Sequence, residues 1–156
     1  MSKYAIYILS PLFYTGILLA GRWFTIQGID PWYWSLSRPS YTPPGSFIGI
    51  VWTVIYILSA LSLILYVNAA KGRQGFRPVI ALYIINGILN AAWSYVFFTK
   101  HLPGPAVIDA GLIAVTVLFV IIYAWRYSHA AAVLLLPYLL WGSFATFLTY
   151  AIYKMN

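Results

Sequence analysis

Residues 47–70 read FIGIVWTVIYILSALSLILYVNAA, a run of 24 residues without a charged side chain. A helix of that length rises about 36 Å, enough to cross a hydrocarbon core of about 30 Å. In lipid every backbone N–H and C=O must be satisfied within the segment, and a helix does this. The run is apolar all round, so it offers no face to water. It reads as a transmembrane helix.

The same pattern returns four times on either side. Tyr4–Ala20 is uncharged and ends at Arg22; Val79–Thr99 ends at Lys100 and His101. Ala106–Trp125 carries one charge, Asp109, and ends at Arg126; Ala130–Tyr153 ends at Lys154. Cations at the breaks suit headgroup contacts, with the apolar stems left in lipid. The reading is all-α: one domain over residues 1–156, an integral membrane bundle of five transmembrane helices at about 4–22, 46–70, 78–100, 105–126 and 129–153. The first run reads as a span and not as a cleaved leader, because no small-x-small site precedes Arg22.

Composition supports this. Hydrophobic residues make up 63% of the chain and charged ones 7%, against about 25% charged in soluble domains. The net charge of +7 is scattered apart from Lys71, Arg73 and Arg77. Without a basic stripe the chain is not a nucleic-acid binder, and its first partner is the bilayer. There is no cysteine, so disulfides and thiolate chemistry are excluded. Lys3, Lys71, Arg73, Arg77 and Arg126 fall on one side of the membrane, and Arg22, Arg38, Lys100 and Lys154 on the other. That small excess predicts an inside amino terminus.

Most connections are short, which makes consecutive helices antiparallel neighbours. The first is not. Residues 21–46, GRWFTIQGIDPWYWSLSRPSYTPPGS, hold four prolines and three glycines, which argues against one continuous helix. They also hold Trp23, Trp32, Tyr33, Trp34 and Tyr41, side chains that seek burial. The expectation is a lid over about 23–45 that folds back onto the bundle, with a short helix near Trp32–Ser37. The competing reading is an aromatic belt among the headgroups.

Polar and aromatic groups inside the spans point to function. Asn86, Asn90, Trp93 and Phe97 share one face of the third span. The asparagines either tie helices together or meet a planar ligand with polar edges. Trp52 and Tyr56 share a face of the second span; Trp141, Ala145 and Leu148, with Phe144 alongside, share one in the fifth. Trp52 and Trp141 lie deep, where they either pack a core or line a ligand-filled interior. Asp109, one turn into the fourth span, suits the helix amino-terminal dipole or a pair with Arg22 or Lys100. Gly16-xxx-Ala20 and Ala110-xxx-Ala114 are steps that pack helices or dimerise. No carboxylate pair, metal-ligand cluster or phosphate loop is present. No catalytic or metal residue is assigned on these grounds.

The runs WYWSLSRPSYTPPGSFIGIVWTVIY (32–56), NGILNAAWSYVFF (86–98) and PYLLWGSFATFLTY (137–150) resemble the TspO family, the tryptophan-rich sensory proteins known in animals as the translocator protein or peripheral benzodiazepine receptor. The resemblance implies a five-helix bundle, often a homodimer, with a pocket closed by the first loop. It implies binding of porphyrins such as protoporphyrin IX, of sterols in some cases, and of synthetic drugs, with no obligatory cofactor. Carried over residue by residue, the pocket would use Tyr33, Trp52, Tyr56, Asn86, Asn90, Trp93, Phe97, Trp141, Phe144, Ala145 and Leu148. Binding with a role in tetrapyrrole or stress regulation is the first expectation, in a bacterial cell membrane. Porphyrin or sterol transport is an alternative. Another is light-dependent porphyrin breakdown, with Trp52 and Trp141 as the candidate reactive residues. Thr149 stands where many relatives have asparagine, which weakens any sterol reading there.

Overall fold

The computed structural model describes residues 4–156; Lys3, counted above among the cations of the amino-terminal side, lies outside them. Helix α1 spans Ala5–Gly28 and runs into a wider π-type turn, Ile29–Tyr33. Helix α2 spans Gly45–Ala70, and α3 spans Phe76–Ser94 with a π-type turn at Tyr95–Thr99. Helix α4 spans Pro103–Trp125, α5 is the short piece His129–Val133, and α6 spans Leu136–Met155. Five helical stretches are long and apolar enough to cross a membrane. The fold is the all-helical, five-span architecture read from the sequence.

Two boundaries differ from expectation. The first span does not end at Arg22: α1 continues to Gly28, so Trp23–Gln27 are helical. No proline interrupts the chain between Arg22 and Asp30, and a helical glycine costs only about 1 kcal/mol. The helix breaks where Asp30 turns extended (φ −105°, ψ 136°), as residues before proline do. The irregular connection is therefore much shorter than 23–45, and its helical path carries on to Ser35. The fifth span, read as one run over about 129–153, is not a continuous helix. The helix breaks between α5 and α6, and Pro137 occupies the first turn of α6, where its missing N–H costs nothing.

Helix α4 packs along both α3 and α6, and α1 packs along α2 and α3. Serine hydroxyls tie neighbours: Ser10 donates to the Ala60 carbonyl at 2.8 Å, and Ser62 to that of Ala131 at 2.7 Å. Helices α2 and α6 hardly meet along their backbones. Rings bridge them, Phe47 against Trp141 at 6.0 Å and Trp52 against Tyr138 at 5.9 Å between centroids. The outer surface is apolar, with Ile8, Leu12, Ile50, Ile57, Ile108 and Leu140 exposed, as lipid requires. Ala110 packs in the interior, whereas Gly16 faces open space.

Gly28 fixes how the end of α1 meets the end of α3. A Cβ there would lie 1.7 Å from the Phe98 carbonyl oxygen, while Thr99 donates to the Phe24 carbonyl at 3.2 Å. Gly28→Ala is expected to lower stability by about 1–3 kcal/mol. Gly16→Ala, with nothing within 4 Å of its Cβ, should shift it by no more than about 0.5 kcal/mol. Thermal unfolding in detergent compares the two; equal losses would refute the close-packing account.

A layered candidate site between the helices

At mid-depth the buried polar groups of α3, α4 and α6 converge on one hydroxyl. Tyr138 donates to Asn86 Oδ1 at 2.6 Å. Asn86 Nδ2 donates to the Ile113 carbonyl at 3.0 Å and to Thr116 Oγ1 at 2.7 Å. Asn90 Nδ2 donates to the Asn86 carbonyl at 2.9 Å and to the Tyr138 hydroxyl. Tyr56, from α2, donates to Asn90 Oδ1 at 3.3 Å. Both carboxamides thus have their hydrogens occupied by the protein itself, and they tie the helices together. Sequence reasoning passed over Tyr138 and Thr116. The signal was available, since Tyr138 lies three residues before Trp141 on the same face of α6.

A second layer lies one helical turn nearer the α3–α4 connection. It holds Trp52 (four before Tyr56), Trp93 (three after Asn90), Trp141 (three after Tyr138) and Asp109 (four before Ile113). The chain directions place all four toward the same end of the bundle. Trp93 stacks on Phe97 at 5.0 Å and 8°. Trp141 packs against Phe144 at 5.3 Å. Trp93 Nε1, Trp141 Nε1 and Asp109 Oδ2 are shielded from solvent and have no hydrogen-bond partner. Asp109 does not pair with Arg22, which is exposed, or with Lys100, whose ammonium lies over the Tyr95 ring at 5.3 Å. Neither cation can follow it inward without leaving the headgroup region.

A third layer closes that end. Phe97, Ala106 and Ile152 form a buried cluster, with Trp32, Tyr33 and Leu148 packed on it. Trp32 meets Phe97 edge-on at 5.4 Å and stacks on His101 at 4.3 Å and 14°. Tyr33 packs on Phe98 at 5.5 Å and carries the Arg38 guanidinium over its own ring at 4.7 Å. Asn156 clasps the connecting segment: Ser37 N donates to Oδ1 and Nδ2 donates to the Ser37 carbonyl, both at 2.9 Å. Trp32 and Tyr33 are half-buried, whereas Trp23, Trp34 and Tyr41 are exposed. The aromatic segment is divided between contact with the bundle and the outer surface. Phe144 and Ala145 are half-buried on α6. Thr149 is buried and returns its hydroxyl to the Ala145 carbonyl at 2.7 Å. Among the described residues, no group of three or more His, Asp or Glu side chains is gathered to hold a metal ion.

Residues 7–155 match the TspO/MBR family model. The chain belongs to the TspO/MBR family. It is 42% identical over 137 residues to an uncharacterized membrane protein, YtaB, of Bacillus subtilis, covering 88% of this chain and 86% of that one. It is 40% identical over 127 residues to the tryptophan-rich protein TspO of Bacillus cereus, covering 80% of each. It is 32% identical over 145 residues to the human translocator protein, covering 90% of this chain and 83% of the other. This TspO/MBR protein is an integral, multi-pass membrane protein, and the resemblance read from its motifs holds over nearly its whole length.

The network makes a direct prediction for this TspO/MBR chain. Tyr138→Phe takes away the short donor to buried Asn86 Oδ1 and leaves only Asn90 Nδ2 at 3.5 Å. Stability in detergent should fall by about 1–2 kcal/mol. A midpoint unchanged in thermal unfolding would show that the hydroxyl is not holding the helices.

Proposed function

We propose that the protein binds a flat tetrapyrrole, with protoporphyrin IX as the representative ligand, in the tryptophan layer beneath the connecting segment, and that this serves tetrapyrrole or stress regulation. One observation carries the reading: three indoles occupy one layer, and two of them hold buried N–H groups with no partner. A buried indole N–H normally finds an acceptor. A planar aromatic ligand offers stacking area for the rings and a π face as acceptor for the N–H groups. Arg38 and Lys100, at the same end of the bundle, suit the ligand's carboxylates. Tyr33, Phe97 and Leu148 would form the roof, Trp52, Trp93, Trp141, Phe144 and Ala145 the walls, and Tyr56, Asn86 and Asn90 the floor. Sterols and synthetic aromatic drugs, also apolar and rigid, would enter the same layer with fewer polar contacts.

Tryptophan fluorescence in detergent tests this. Protoporphyrin IX should quench it saturably, and a Trp52→Ala, Trp141→Ala variant should bind at least about tenfold more weakly. Quenching unchanged in that variant would remove the site.

The presence of both Trp52 and Trp141 in one layer also supports light-dependent breakdown of the bound porphyrin. Light and dioxygen would be the co-reactants: the excited porphyrin would pass its energy to dioxygen, which would add across a C=C bond of the ring and open it, while the indoles hold the ring in place. Under illumination in air, the porphyrin absorption band should decay faster with the protein than in detergent alone. A Trp52→Phe, Trp141→Phe variant that still binds should lose that excess. Equal decay with and without the protein would leave a binding protein only.

A further inference from the structure

Asp109 is the one acid within an α-helix, and the tetrapyrrole reading leaves it unused. It lies well inside α4, on the face that carries Ile113 and Thr116 four and seven residues later. Its Oδ2 is shielded and unpaired. Tyr138, one layer further in, gives its hydrogen to Asn86 and has none for Asp109. The indole N–H groups of Trp93 and Trp141 belong to the same layer, yet neither bonds to it. A buried carboxylate oxygen without a donor is costly, and such a group persists where a partner arrives from outside. An unpaired acceptor and two unpaired donors in one layer describe the negative of a ligand edge. That edge offers a hydrogen to Asp109 and lone pairs to the indoles. The opposite end of the site carries the cations Arg38 and Lys100, so the site is polar in a defined sense, acidic inside and basic at the rim.

We propose that Asp109 is a specificity-determining residue, and that the layer selects flat aromatic nitrogen bases that present an N–H hydrogen at the inward edge. The inference rests on the reading that a planar ligand enters the tryptophan layer. A cyclic tetrapyrrole offers its N–H groups only through the face of the ring. An aromatic amine with the hydrogen on its edge meets the carboxylate directly, through a charge-assisted bond. Anionic groups are turned outward to the rim, because a second negative charge beside Asp109 would be repelled in a low-dielectric interior.

The test compares 9-aminoacridine with 9-methylanthracene, a probe of the same shape without an N–H, by tryptophan quenching in a non-ionic detergent. Asp109→Asn should weaken 9-aminoacridine by about tenfold or more and leave 9-methylanthracene within about threefold. Protoporphyrin IX should still quench the variant. Equal losses for both probes, or none, would overturn the proposal, the first by showing a structural role. 9-Aminoacridine binding that survives Trp52→Ala, Trp141→Ala would overturn it too, since the ligand would then lie elsewhere. Should Asp109→Asn fail to fold, the unmodified protein decides. There 9-aminoacridine must displace protoporphyrin IX at concentrations about tenfold below those needed for 9-methylanthracene. A failure of protoporphyrin IX to bind would remove the tetrapyrrole reading alone, because the ratio of the two smaller probes would still judge Asp109.

Discussion

The hydroxyl of Tyr138 gives its hydrogen to Asn86 and accepts one from Asn90, and Asn86 in turn reaches Thr116. That short circuit joins α3, α4 and α6, and Tyr56 extends it to α2. In a bilayer the hydrophobic effect does little to press one helix against another, because lipid tails are as apolar as leucine. Packing and a few shared hydrogen bonds then set the register. Each such bond is worth only about 1 kcal/mol, but each also forbids the alternatives that would leave an amide unpaired in hydrocarbon. The depth of every other side chain along these helices follows from that register.

The site inherits its order from the circuit. One turn beyond the saturated amides come the indoles of Trp52, Trp93 and Trp141 and the carboxylate of Asp109, and beyond those the aromatic cover of Phe97, Tyr33 and Trp32. The contrast between adjacent layers is chemical. The amide layer is satisfied and holds the fold, whereas the indole layer keeps three polar atoms unpaired. The first suits structure and the second suits recognition. The connecting segment lies against the end of the bundle through ring contacts and the Asn156 clasp on Ser37.

Other space in the bundle plays a different part. A void too narrow for water lies on the far side of the amides, between Tyr83, Val117, Leu135 and Tyr138. A shallow groove of about 200 Å³ opens between α1 and α2 beside Pro11, Thr15 and Ile57. The groove faces outward from an apolar surface, and lipid chains are its natural filling. Neither lies in the indole layer, where side chains from α2 and α6 meet through their rings. Entry of a flat ligand there requires those rings to part.

Span number, the all-helical class and the inward faces of Trp52, Asn86, Asn90, Trp93 and Trp141 were legible in the sequence by itself. Length against bilayer thickness and a period of 3.6 are local properties that need no partner segment. The length of α1 beyond Arg22 was not, because the proline-rich stretch hid a proline-free interval whose helix packs closely on Phe98 at Gly28 and accepts a bond from Thr99 at Phe24. Nor was the bond that Asn86 accepts, since its donor, Tyr138, lies 52 positions away. Asp109 looked ready to pair with a cation of its own side, and only the packed bundle shows those cations held at the surface while the carboxylate turns inward unpaired. Pairing of this kind is decided by the relative register of helices that are not neighbours in the chain, and no local pattern carries that information.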